Sequence, residues 1–231
     1  MTDTPFQIAF IPYPNMTQLD MTGPAQVLGR MPGAKLHFVW KSPDLVYDDL
    51  GLGFSPTTTF ADCPHVDMIC VPGGYGCAAV MEDDDVLDWL RERDGDCRFV
   101  TSVCTGSLIL AAAGLLQGRK AATHWAWREQ LRLFGAEPTG ERVVKDGKYI
   151  TGGGVTAGID FAFAVIEEMF GREMAEVIQL SLEYDPAPVG GGTPETARPD
   201  ILARAEQAMA ARGMGDRIAE IEAIAAAKAL R

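Results

Sequence analysis

Cys104 stands where a cysteine becomes reactive. The β-branched run Phe99-Val100-Thr101-Ser102-Val103 leads into it, Thr105-Gly106-Ser107 follow, and an Ala/Leu-rich run of helical composition begins. A strand that turns into a helix at a cysteine sets the sulfur against N–H groups without intrahelical partners and against the positive end of the helix dipole. Both favour the thiolate, which is the nucleophile. Gly106 permits close backbone packing at such an elbow. The plain alternative is a core cysteine, since free Cys is among the most buried residue types. The strand–Cys–small–Gly–helix order is nonetheless the context that covalent catalysis needs.

Three other places offer groups to work with it. Asp20, in QLDMTGP, supplies a carboxyl group for proton transfer; it is equally suited to cap a short helix with Pro24 in its first turn. Gly73 and Gly74 follow an apolar strand, where their amides can face a ligand and stabilise negative charge, or simply allow a tight exit. Thr105 puts a hydroxyl next to the sulfur. His124, in KAATHWAW, could act as a base, although a lone His among Ala and Trp more often has a structural role. The run TGGGVTAG lacks the Lys-Ser/Thr ending of a phosphate loop and the spacing of a dinucleotide fingerprint. It reads as a hairpin end and a close-packed helix start, which places Val155, with His124, on a pocket wall.

These groups need a scaffold that brings them together. Strands are expected at Gln7–Tyr13, Lys35–Lys41, Val66–Val71 and Phe99–Val103, with short antiparallel strands and loops across 44–64. Helices are expected at Pro24–Met31, Asp83–Arg93, Trp125–Phe134, about 156–170 and 172–184. Asp146-Gly147 marks a hairpin within Arg142–Thr151. Such alternation implies an α/β fold, a mostly parallel central sheet sandwiched by helices. These folds bind ligands beyond the carboxyl ends of their strands. Asp20, Gly73-Gly74 and Cys104 all follow strands, so they would converge. After a Pro/Gly-rich stretch at 185–200 comes an Ala-rich helical tail, broken near Gly213-Met214-Gly215. The division expected is an α/β domain over 1–190 and a C-terminal helical extension over 191–231. The extension would pack on the body or on a dimer partner, covering Ile201, Leu202, Ile218, Ile221 and Ile224.

Composition removes several function classes. The five cysteines are odd in number and widely spaced, which suits a reducing compartment better than a disulfide framework. With no C-x-x-C pair and only three scattered histidines, no metal site is expected. A net charge of −12 argues against general nucleic-acid binding. The longest apolar run is too short to cross a bilayer, and the N-terminal residues do not resemble a signal peptide.

The strings QLDMTGP, ICVPGG, SVCTGS, ATHW and TGGGVTAGIDFA together resemble the ThiJ/PfpI superfamily, whose fold is similar to that of class I glutamine amidotransferases. The resemblance spans about 6–190. Within the superfamily, LDMTGP, TSVCTGSLILAAAGLL, THWAW and LSLEYDPAP are most similar to the isocyanide hydratase branch. Relatives with protease-like or deglycase-like chemistry commonly carry His directly after the nucleophile, where this chain has Thr105. Others are regulators with a helix-turn-helix domain, for which residues 186–231 leave no room. The resemblance implies Cys104 as nucleophile, Asp20 as acid/base, Thr105 as helper and the Gly73 and Gly74 amides as donors. It further implies hydration of a small-molecule isocyanide to an N-substituted formamide without a cofactor, by a cytoplasmic homodimer. The alternatives are a non-catalytic small-molecule or redox sensor and glyoxalase- or deglycase-type chemistry on reactive carbonyls.

Overall fold

The computed structural model describes residues 5–229. In chain order the elements are β1 (Phe6–Phe10), α1 (Gln18–Leu28), β2 (Ala34–Trp40), β3 (Val46–Tyr47), β4 (Gly53–Phe54), β5 (Thr58–Thr59) and β6 (Met68–Val71). Next come α2 (Cys77–Met81), α3 (Asp84–Asp94), β7 (Phe99–Val103), α4 (Gly106–Ala112), β8 (Lys120–Ala121), a 3-10 turn (Trp125–Trp127), α5 (Arg128–Arg132) and β9 (Glu137–Pro138). The chain then forms β10 (Val143–Asp146), β11 (Tyr149–Gly152), α6 (Ala157–Phe170), α7 (Arg172–Ser181), α8 (Pro199–Ala211) and α9 (Met214–Ala229).

Seven strands form the central sheet in the order β10-β11-β7-β6-β1-β2-β5. Pairing is parallel except at the β10–β11 hairpin, which turns at the expected Asp146-Gly147. Burial on both faces explains the continuous apolar runs of the inner strands: β6 and β7 are buried at every position. From β1 the chain moves to β2 on one side, then returns to β6 on the other. That reversal is a topological switch point, and β1, β6 and β7 are neighbours beside it. The segments that follow these three strands carry Asp20, in the first turn of α1, Gly73 and Cys104.

Several expected boundaries shift. The helix placed at Pro24–Met31 starts at Gln18, so Pro24 lies inside it. Its preceding residue, Thr17, is the N-cap, and Asp20 falls in the first turn rather than at the cap. Interior Pro24 is tolerated because packing compensates for the helical hydrogen bond it lacks. A Cβ on Gly158 of α6 would lie 3.1 Å from its ring, and one on Gly23 would lie 3.2 Å from Ile159, so α1 and α6 meet through small residues. Helix α2 and the small β8–β9 pair lacked a clear signal, being only 5 and 2 residues long per element.

The tail divides in two. Ile221, Ile224 and Ala225 of α9 are buried, and α9 packs on α2 and α5. Helix α8 buries no residue, and Ile201, expected to be covered, is 42% exposed.

Candidate active site

Cys104 adopts φ 55°, a left-handed conformation that costs a non-glycine residue about 1–3 kcal/mol. The surroundings hold it there from both sides. Its N–H donates to the Gly152 carbonyl at 3.1 Å and the Gly153 carbonyl at 2.8 Å. Its own carbonyl accepts from Ser107 Oγ and Thr123 Oγ1, each at 3.0 Å. The glycine run at the end of the hairpin thus orients the cysteine backbone. Close packing completes the elbow: a Cβ on Gly106 would lie 2.2 Å from the Val71 carbonyl oxygen.

Asp20 is fully buried beside it. One carboxyl oxygen accepts from the Gly73 N–H at 2.9 Å; the other, Oδ1, is buried without a hydrogen-bond partner. Thr105 Oγ1 accepts from the Gly74 N–H at 2.9 Å and donates to the Gly74 carbonyl at 3.3 Å. Both amides expected to face a ligand are therefore already engaged, one by Asp20 and the other by Thr105. The physical reason is proximity: a Cβ on Gly73 would stand 2.5 Å from the Thr105 nitrogen and 2.9 Å from the Asp20 oxygen, so the Pro72-Gly73-Gly74 turn is pressed into the elbow. Its role is to fix the acid and the Thr105 hydroxyl.

The expected lowering of the thiol pKa is reversed. Burial, then the nearby Asp20 charge, raises Cys104 well above the usual thiol value, while the Thr105 N–H pulls in the opposite direction. Burial likewise lifts Asp20 to about 8, against the opposing effects of the Gly73 N–H and the Cys104 side chain. Desolvation outweighs the elbow's helix-end field because both groups are buried, Asp20 completely and Cys104 but for the part that faces the cavity. Each acid appears among the causes of the other's shift, so the two titrate as a pair.

Cys104 opens onto a cavity of about 260 Å³. Val155 and His124 are on its wall, with Thr105, Gly74 and Trp127. His124 Nδ1 accepts from the Ala126 N–H at 3.3 Å, capping the 3-10 turn, and burial followed by the Arg128 charge lowers its pKa. It is a neutral wall and capping residue. The remaining wall was not foreseen: Thr17, Asp49, Tyr75, Cys77 and Ala78 come from the body, and Met209, Arg212, Met214, Arg217 and Ile221 from the tail.

The DJ-1/PfpI family model matches residues 7–168, which contain the elbow, the acid and the glycine turn. The chain belongs to the DJ-1/PfpI family. An isonitrile hydratase from Pseudomonas putida is 50% identical over 87% of this chain and 89% of its own length. A ThiJ/PfpI family protein from Pseudomonas syringae superposes with a TM-score of 0.89 at 41% identity, covering 96% of this chain and 90% of that one. Drosophila melanogaster DJ-1beta gives 0.70 at 25% identity, covering 98% of its own chain but 78% of this one. The DJ-1/PfpI match stops before α7, whereas the Pseudomonas syringae protein covers nearly the whole chain. Nothing in the spacing of the tail residues marked them as pocket wall; the fold of the α8–α9 pair decides it.

Proposed function

We propose that this protein hydrates an isocyanide to an N-substituted formamide through covalent catalysis at Cys104. The observation that carries the reading is the 50% identity, over 87% of this chain, to an isonitrile hydratase. The site supplies groups suited to that chemistry.

With one proton left on the Cys104–Asp20 pair, that proton rests on the sulfur, and the Asp20 carboxylate takes it as the attacking thiolate forms. The sulfur attacks the terminal carbon of R–N≡C, and the Asp20 proton passes to that carbon. The product is a thioimidate, R–N=CH–S–Cys104, beside an Asp20 carboxylate. The carboxylate then takes a proton from water as its oxygen adds to the carbon, and returns that proton to nitrogen. Collapse of the tetrahedral adduct sends the hydroxyl proton to Asp20, expels the thiolate and releases R–NH–CHO. The pair regains its starting state. Two moderate barriers replace one high one, and a buried carboxyl group with a pKa near 8 suits both proton donation and acceptance near neutral pH.

Supporting considerations extend the proposal. Five buried free thiols fit a reducing cytoplasm. No described helix is long and apolar enough to cross a membrane. Exposed Leu45, Tyr47, Leu50 and Leu52, on and around the β3–β4 hairpin, would suit the interface of a homodimer. Residues 191–231 would form the C-terminal extension to a 1–190 domain, contributing to the pocket roof.

The test is formamide production from cyclohexyl isocyanide, with intact-protein mass spectrometry for a Cys104 adduct. Wild type should turn over, while Cys104→Ala and Cys104→Ser should be inactive with unchanged circular dichroism. Turnover of methylglyoxal but not the isocyanide would favour the carbonyl alternative; binding without turnover of either would favour a sensor. Near-normal hydration by Cys104→Ala would end the covalent mechanism.

A further inference from the structure

The cavity that Cys104 opens onto is not uniformly apolar. Two arginines, Arg212 and Arg217, belong to its wall, and both come from the α8–α9 tail. Several arginines elsewhere meet carboxylates, such as Arg91 with Asp88, Arg128 with Glu195, Arg142 with Asp160 and Arg198 with Asp200; others meet a carbonyl or a ring, as Arg30 meets the Gln26 carbonyl, Arg93 the Cys63 carbonyl and Arg98 the Phe99 ring. Among the described residues, neither Arg212 nor Arg217 has an ion-pair partner within 4.0 Å. Asp49 is the acidic member of the wall, and its carboxylate accepts from the Thr17 hydroxyl at 3.3 Å.

Arg217 is also held in place. Its guanidinium lies over the Tyr75 ring, 3.8 Å from the centroid, and Tyr75 is itself part of the wall. A guanidinium held over an aromatic face keeps its N–H donors in its own plane, directed away from the ring and available to a planar anion. Toward a purely hydrocarbon ligand the two arginines offer only their apolar stems. Toward a carboxylate they offer bidentate hydrogen bonds, the strong and directional kind. In a chain of net charge −12, a local positive site also sets an anionic ligand apart from the repelling surface around it.

Size is compatible. A cavity of about 150 Å³ holds benzene, and this one is about 260 Å³. Its volume exceeds what a six-membered ring needs, so a substituted ring is within its capacity. Met209, Met214 and Ile221 add apolar side chains to the same wall.

We propose that the preferred substrates are isocyanides that carry a carboxylate, with the isocyano carbon at Cys104 and the carboxylate at Arg217 and Arg212. This rests on the isocyanide-hydration reading and specifies its substrate class. The tail is then a specificity element: it supplies the charge that selects one class of isocyanide over another.

The test compares 4-isocyanobenzoate with the neutral, near-isosteric 4-isocyanobenzamide. Wild type should favour the carboxylate at least tenfold in kcat/KM. Arg217→Gln should cut that preference severalfold, mainly through KM for the charged substrate, and Arg212→Gln/Arg217→Gln should abolish it. Arg217→Lys, which keeps the charge but not the fork, should retain part of it. Equal kcat/KM for the two substrates in wild type, or a preference that survives in the double variant, overturns the proposal. A separate arm measures binding of 4-formamidobenzoate and 4-formamidobenzamide by calorimetry. If neither isocyanide is hydrated, the hydratase reading fails on its own. Tighter, arginine-dependent binding of the formamidobenzoate would then still support the carboxylate site, and equal binding of the two would reject it.

Discussion

The Gly73 amide and the Asp20 carboxylate meet at 2.9 Å across 53 residues of chain, and this bond is the single hydrogen bond that the buried carboxylate receives from the backbone. One donor does not offset the desolvation of a charge, so Asp20 is lifted to about 8. Asn keeps the oxygen that accepts from Gly73 and removes the ionisable proton. Asp20→Asn should therefore lower formamide turnover by roughly 100-fold or more. It should also stabilise the protein near pH 8, by about 2–4 °C for each kcal/mol recovered. The effect on stability has a definite pH sign. The folded-state pKa is above the ordinary 3.8, so the benefit of burying a neutral Asp20 is complete below about 4 and is lost as pH rises through about 8. The melting-temperature gap between Asp20→Asn and wild type should widen across that window. A gap that stays constant from pH 4 to 8 would contradict the assigned charge state.

The same pair dictates a rate profile. Below about 8 it holds two protons and the sulfur is a thiol; loss of one proton creates the reactive state. The kcat/KM for a neutral isocyanide should rise with pH through an apparent pKa near 8, which belongs to the pair. Substituting His124 by Asn, which can cap the same turn, should leave this pKa in place. A profile that instead falls across pH 7–9, or a rise that disappears in His124→Asn, would transfer the proton chemistry to the imidazole.

Much of this site could be read from the chain because its chemistry sits in contiguous strings at strand ends. The run into Cys104 announces a strand and a helix on either side of the nucleophile, and parallel α/β topology then brings Asp20 and Gly73 to the same edge. What could not be read was a balance of fields. A helix end favours a thiolate, but only burial, a tertiary property, shows that desolvation outweighs it. The engaged amides of Gly73 and Gly74 were equally hidden, since a Gly-Gly turn looks alike whether its N–H groups face a ligand or a neighbouring side chain. The tail arginines carry no motif at all. Arg212 and Arg217 reach the cavity because buried Ile221 and Ile224 seat α9 against the body.

Thr105 tests whether the amide network has a structural or a chemical value. Its hydroxyl occupies the Gly74 N–H and carbonyl together. Thr105→Val keeps the shape but leaves both groups unpaired, which should cost about 1–3 kcal/mol. Thr105→Ser keeps the hydroxyl and should recover most of the stability. If Ser also restores turnover, the hydroxyl is sufficient; if Val melts like wild type, the Gly74 bonds contribute no stability.

Two glycines next to helix ends should respond in opposite ways to the same substitution. A Cβ on Gly106 would lie 2.2 Å from the Val71 carbonyl oxygen and 2.8 Å from that of Pro72. Both atoms are backbone and cannot rotate away, so Gly106→Ala must push β6 off the elbow. Overpacking of this kind costs about 1–3 kcal/mol or more, and the displacement would also carry the Gly73 amide away from Asp20. Gly95, after α3, has φ −56° and ψ −35°, and nothing lies within 4 Å of a Cβ there. Gly95→Ala should be stabilising by about 0.4–1 kcal/mol, because the unfolded chain loses freedom and the folded one loses nothing. Denaturant melts of both variants, with formamide production measured on the folded fraction, check the contrast. Gly106→Ala should lose activity beyond its loss of folded protein, whereas Gly95→Ala should match wild-type turnover. Full activity in a stable Gly106→Ala protein would show that the elbow tolerates a gap between β6 and α4, and the tight coupling of nucleophile, acid and glycine turn would have to be abandoned.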